Sequence, residues 1–214
     1  MADTTSTVAD ADRRHGRVEL FAAILLGIAG VLTALCAYEA ALTDGDALQG
    51  YTESTQQLTD SNQFYSQALS RSTRDQQLFS QFALESQTAD EELVAYMLTL
   101  MDDNLRTAVL WWSEAVQQDE TILSPFVDHP DNPYVNVDQS EATGLEAQSN
   151  ETYREASDFD EEGDQYELAA VLFALTLFFA GIATLLKRIQ ATYVLLTAAT
   201  VSSVGGLVVL FTAI

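Results

Sequence analysis

The sequence predicts an all-α integral membrane protein with three membrane helices and a helical outer domain inserted between the first and the second. Three observations predict it. Apolar runs without a charged residue cover Leu20–Ala37, Leu168–Leu186 and the stretch from residue 191 to Ile214. At about 1.5 Å of rise per residue, runs of this length match a hydrocarbon core of about 30 Å. Five of the nine basic residues gather in two short segments, Arg13-Arg14 with Arg17, and Lys187-Arg188. Between the first two runs lies a long acidic region with no further run of membrane length.

Residues 1–17 open with Ala, Thr, Ser and Asp and almost no large apolar side chain, which predicts a disordered cytoplasmic tail. Membrane helix 1 follows over 18–42. Twin arginines before an apolar run also mark export signals, but this run exceeds the usual h-region, no A-x-A site follows it, and Thr33-Ala34-Leu35 lacks the small residue a lipoprotein signal needs before Cys36. The run is therefore an uncleaved signal-anchor. Arg13, Arg14, Arg17, Lys187 and Arg188 place both flanks inside, residues 43–166 outside, and the C-terminus outside. Tyr38-Glu39 and Tyr166-Glu167 then set amphipathic rings at one outer interface.

The outer domain, 43–166, holds 26 of the 32 acidic residues between Thr43 and Gln165. From Leu48 to Gln87 the only helix breaker is Gly50, and Tyr51, Leu58, Tyr65, Leu69 and Phe79 supply a thin apolar stripe. Thr88-Ala89-Asp90-Glu91 matches a capping box and predicts a new helix there. On it, Leu93, Met97, Leu100, Asn104, Ala108, Trp111 and Ala115 form one face, widened by Leu98, Met101, Leu105 and Trp112. The two helices are expected to form an antiparallel hairpin. All three prolines fall between Pro125 and Pro133, which predicts a stiff irregular loop, followed by a last outer helix over about 140–157. Membrane helix 2 is assigned to 167–186, a cytoplasmic turn to 187–190, and membrane helix 3 to 191–214. The short turn makes the last two helices an antiparallel pair.

The net charge is -23, and eight of the nine basic residues are arginine. That profile suits proteins of salt-saturated cells and points to a halophilic archaeal source. It disfavours nucleic acid as a partner. Cys36 is the only cysteine, so no intrachain disulfide forms and packing alone must hold the outer domain.

Tyr166-Glu167-Leu168, Val171-Leu172-Phe173-Ala174 and Leu177-Phe178-Phe179-Ala180-Gly181-Ile182 resemble a membrane helix found in an uncharacterised family of prokaryotic three-helix membrane proteins. Members look like this chain in having a tryptophan-bearing helical outer segment and a loop with Pro-Phe and a later tyrosine. Pro125-Phe126 and Tyr134 match those loop residues here, at longer spacing. The resemblance implies the architecture of most of the chain and no activity.

Candidate sites are few. Asp158, Asp160, Glu162 and Asp164, with Gly163, have the carboxylate spacing of a calcium loop, but Ala169 stands where the bidentate glutamate belongs. An acidic solvated linker is the plainer reading. Trp111 and Trp112 point about 100° apart on a helix, so one can pack while the other faces a groove. With Pro125, Phe126 and Tyr134 they are the candidate partner-binding residues, although core use is the commoner fate of such rings. Ser124, His129 and Asp128 or Asp131 supply triad residue types without a scaffold to converge them. Gly27 and Gly30 in membrane helix 1, and Ser202 and Gly206 in membrane helix 3, allow close helix packing or self-association. No catalytic residue and no cofactor is expected. The expected partners are the lipid bilayer and either a second copy or another envelope protein. The leading function is a non-enzymatic interaction or scaffolding module of the cell envelope. A sensory subunit acting through a partner, or a pore subunit lined by Thr197, Thr200, Ser202 and Ser203, are the alternatives.

Overall fold

The computed structural model describes residues 3–87, 91–186 and 188–213, with the backbone alone for 3–15 and 17. Secondary structure among them is entirely helical: α1 Asp3–Glu85, α2 Glu91–Leu100, α3 Asp103–Gln118, α4 Val137–Leu185 and α5 Ile189–Ala213. The chain divides into two compact units, one of Met1–Thr52 with Thr152–Ile214, the other of Glu53–Glu151. These boundaries fall inward of the expected 43 and 166, within α1 and α4.

Several expected breaks do not occur. The backbone of 3–17 is helical where a disordered tail was expected. It contains no proline, and extending an existing helix adds one hydrogen bond per residue fixed, so the apolar run that follows can propagate backwards. No boundary separates membrane helix 1 from the helix after Leu48, and α1 stays unbroken through Ser70-Arg71-Ser72-Thr73. Asp158–Asp164, expected as a linker, lies in mid-helix in α4. Thr88, Ala89, Asp90, Lys187 and the side chains of Arg13, Arg14 and Arg17 lie outside the described residues; Arg188 is exposed.

Three helices are long and apolar enough to cross a membrane, and all contribute to the first unit: α1, α4 and α5. Their packing faces are made largely of small side chains, with Phe173 and Leu196 the large exceptions. On α1 Ala22, Ala29, Cys36 and Thr43 are buried seven residues apart, with Ala40 and Ala47 beside them. On α4 Ala169, Phe173, Thr176, Ala180 and Ala183 are buried at alternating steps of four and three, and on α5 Thr192, Leu196, Ala199, Ser203 and Gly206 repeat that rhythm. A period of 3.5 keeps one stripe facing the neighbour along the whole contact.

Close approach follows. A Cβ on Gly206 would lie 2.9 Å from the Phe173 ring, and one on Gly50 would lie 2.8 Å from the Ala156 Cβ. Ser202 Oγ donates to the Leu172 carbonyl across the α4–α5 contact at 2.7 Å, and Thr176 Oγ1 reaches the Ala199 carbonyl at 3.3 Å. Thr197 and Thr200 donate to carbonyls of their own helix, so these hydroxyls of the supposed pore lining have partners already. Many large apolar residues point the other way: Ile24, Ile28, Val31, Leu35, Val194, Val201 and Phe211 are all exposed. Small inside and large outside reverses the order of a water-soluble core and suits a multi-pass membrane protein, whose helices are held by close van der Waals contact.

The four packing residues divide. Gly206 and Ser202 serve the α4–α5 contact, and a Cβ added to Gly30 would lie 4.0 Å from Leu177 Cδ2. A Cβ added to Gly27 would meet nothing within 4 Å. In detergent, Gly206→Val is therefore expected to cost about 1–3 kcal/mol by overpacking against Phe173, lowering the thermal midpoint, while Gly27→Val leaves that midpoint nearly unchanged.

Candidate functional site

The second unit hides large side chains. Phe79, Phe82, Met97, Met101, Leu105 and Val109 form its core, with Trp112, Phe126 and Tyr134 packed against them. Of the stripe expected on α1, Phe79 is buried in the core but Leu58, Tyr65 and Leu69 are exposed, while Ser54, Ser61, Ala68, Asp75 and Phe82 are buried seven residues apart. Small residues win that face because α4 comes so close. Ser54 Oγ donates to the Ser149 carbonyl at 2.9 Å, and Ser61 Oγ to the Ala142 carbonyl at 2.8 Å.

The single helix expected from Thr88 onward is two, α2 and α3. Asp102 adopts an extended backbone and its Oδ1 accepts from the Leu105 amide at 2.9 Å, so it caps α3. Arg71 explains why this aspartate is held there: its Nη1 donates to Asp102 Oδ2 at 3.1 Å and its Nε to Asp138 Oδ2 at 2.5 Å. Arg74 adds a contact to Asp102 at 3.4 Å and bonds Asp75 at 3.1 Å. Asp75 is 1% exposed and accepts a second bond, from Tyr134 Oη at 3.1 Å. Two arginines thus pair with three aspartates, from α1, the N-cap of α3 and α4, at one junction.

The proline loop is ordered by asparagines. Asn132 Nδ2 donates to the Pro125 and Val127 carbonyls at 2.9 and 2.7 Å, and its Oδ1 accepts from the Tyr134 amide at 3.0 Å. Asn136 donates to the Ala68 carbonyl at 2.9 Å, and Val135 N donates to Asn104 Oδ1 at 3.1 Å. Phe126 sits edge-on to Tyr134 and Phe79 at 4.9 and 5.7 Å, and Phe79 edge-on to Trp112 at 4.9 Å, favourable geometries for aromatic pairs. Trp112 Nε1 donates to the Ile122 carbonyl at 3.0 Å.

Of the expected partner-binding residues, Pro125 is corrected, for it is fully buried. Trp112, Phe126 and Tyr134 are half-buried, with their rings packed against the core. Trp111 differs. It turns away from Trp112 and lies 5.5 Å from the His129 ring, centroid to centroid. Trp111, Glu114, Ala115 and Gln118 share one face of α3, and with Asp119, Ile122, His129 and Asp131 they line a groove of about 330 Å³. Asp119 Oδ1 accepts from the amide and hydroxyl of Thr121 at 2.9 and 2.7 Å, and these bonds hold its carboxyl below the usual range. Glu114 and Asp131 are exposed on the rim.

No nucleophile and base are assembled here. Ser124 Oγ accepts from the Phe126 amide and His129 Nδ1 from the Asp131 amide, both local turn contacts. The calcium-loop reading also fails on geometry. In a helix, Asp158 and Glu162 share one side, Asp160 and Asp164 nearly the opposite one, so the four cannot converge. Gly163 instead lets α1 approach, for a Cβ there would lie 2.5 Å from Asp44 Oδ1. Among the described residues no group of three or more metal-ligating side chains forms. Comparison with protein-family models, curated proteins and solved structures finds no match to this chain.

Sequence reasoning missed the Asp75, Asp102 and Asp138 junction. The signal was present in the seven-residue spacing that puts Asp75 in register with Ser54, Ser61 and Ala68. Burial, and then the Asp75 carboxylate, raises the Tyr134 phenol above its ordinary value. The unfolded chain therefore releases this proton first, near pH 10. The stabilisation is complete below that pH and declines as pH rises beyond it. Tyr134→Phe is expected to flatten this alkaline loss, seen by circular dichroism, and to cost about 1–2 kcal/mol at neutral pH through the lost bond to a buried carboxylate.

Proposed function

We propose that the chain is a non-enzymatic integral membrane protein of the cell envelope that presents the second unit outside the cytoplasm as an interaction or scaffolding module. The observation that carries the reading is the division of residues in the second unit: Phe79, Phe82, Trp112, Phe126 and Tyr134 pack in a water-type core, and an open groove beside Trp111 is left over. The first unit supports membrane residence by burying small side chains and exposing large aliphatic ones. The arginines before α1's apolar run and the Lys187-Arg188 pair support a cytoplasmic N-terminus and an outer C-terminus. The resemblance to prokaryotic three-helix membrane proteins belongs to this reading.

A sensory subunit is the second reading. It is favoured by the unbroken helical course of α1 and α4 through both units, since a helix without a break is a means of relaying motion. Such a subunit would signal through an output partner in trans. Recovery of a kinase or transducer with the purified protein supports it over a scaffold.

Topology is tested by cysteine labelling. Cys36 is buried, and the exposed Gly144 has nothing within 4 Å of an added Cβ, so Gly144→Cys introduces one reactive thiol on the second unit. An impermeant maleimide is expected to label Gly144→Cys in intact cells. Labelling only after lysis overturns the outer placement. Crosslinking in native membranes is expected to capture an envelope protein on the second unit; self-contacts alone count against the interaction role.

A further inference from the structure

We infer that the α3 groove receives an arginine side chain of a partner protein, an inference that rests on the proposed interaction role and adds the chemistry of recognition. Three features of the groove agree on a planar cation. Its aromatic wall is the indole of Trp111 beside the imidazole of His129, at an interplanar angle of 45°. Its acidic side chains are Glu114, one turn along α3 from Trp111, Asp119 at the end of that helix, and Asp131, two residues beyond His129; no lysine or arginine lines it. It also sits where α3 ends, with no basic residue in the last turn, so the negative end of the helix dipole adds negative potential.

A guanidinium satisfies these features together. Its flat face stacks on an indole while its edge presents a fork of N–H donors to carboxylates, and it is more weakly hydrated than an ammonium. Lysine offers a charge without the plane. The stacking and hydrogen-bond parts act at contact distance, so they persist in high salt where long-range attraction is screened.

The cation must come from outside the second unit. That unit contains no lysine and three arginines, Arg71, Arg74 and Arg106, and each is already paired with aspartate: Arg71 with Asp102 and Asp138, Arg74 with Asp75 and Asp102, Arg106 with Asp103. Among the described residues Glu114 has no ion-pair partner, and Asp131 has only the His129 imidazole, 4.0 Å from its Oδ2. An excess of carboxylates around an indole, with every local guanidinium committed elsewhere, is complementary to an arginine-bearing surface.

The test uses the full chain in detergent at fixed ionic strength and follows tryptophan fluorescence, which has two sources, Trp111 and Trp112. The probes are arginine, lysine and glutamate, each blocked as the N-acetyl N-methylamide. Blocked arginine is expected to give a saturable change, with lysine weaker and glutamate silent. The double variant Glu114→Gln, Asp131→Asn, both on the exposed rim, is expected to weaken the arginine response about tenfold while the thermal midpoint holds. An arginine response no larger than that of glutamate, a lysine response equal to it, or a double variant that binds as well as the parent overturns the inference. The native-membrane crosslink separates this from the wider reading. A partner captured equally by parent and double variant leaves the interaction role standing and removes the groove from it. Arginine binding without any captured partner keeps the groove's chemistry and removes the role.

Discussion

Contact between helices through side chains that scarcely exist is the constraint on which the fold depends. Where Gly206 meets Phe173, or Gly50 meets Ala156, one helix has surrendered its Cβ so that the other can approach. Such proximity brings Ser202 within hydrogen-bonding distance of a carbonyl on α4, and Ser54 and Ser61 within reach of others. A larger residue at any of these positions would force the helices apart and strand those hydroxyls. Dispersion falls steeply with separation, so a seam of alanine, glycine and serine is strong only while it is tight.

The two units answer to different solvents. In the first, hydrophobic burial gives little, because lipid tails are as apolar as leucine; what favours association is fit and a few interhelical hydrogen bonds. Many of its leucines, isoleucines and valines are accordingly exposed, although Leu196 is buried. The second unit gathers phenylalanine, methionine, leucine and valine into a core, as water requires, and turns most of its acids outward. Its exception is Asp75, whose charge is tolerable in the interior because Arg74 and Tyr134 both bond it. Removing either partner leaves an under-satisfied carboxylate, so this junction specifies which turns of α1, α3 and α4 meet.

The loop between α3 and α4 shows how an irregular segment acquires one shape. Proline limits its backbone, and Asn132 and Asn136 supply the hydrogen bonds that a helix would have made internally. Phe126 and Tyr134 then anchor it to Phe79. His129 is left on the outer side beside Trp111, and the groove is the space between that loop and the last turns of α3. The different surroundings of the adjacent tryptophans are a direct result of the helix's 100° step: Trp112 packs against the core and Trp111 lies beside His129.

Composition and periodicity were enough to determine that the chain is helical and contains three segments able to cross a membrane, since run length against bilayer thickness is a local property. The proline loop was legible for the same reason. Helix continuity was not, because tyrosine, glycine and clustered acids suggest ends at Tyr38-Glu39 and Asp158–Asp164, yet a neighbour packed along the whole face keeps the backbone helical through them. The α2–α3 break went unread for the converse reason: Asp102 becomes a cap only when Arg71, 31 residues earlier, is brought beside it. Only tertiary structure decided which face of α1 is inward. Hydrophobicity nominated Leu58, Tyr65 and Leu69, whereas the approach of α4 selects by volume and takes Ser54, Ser61 and Ala68.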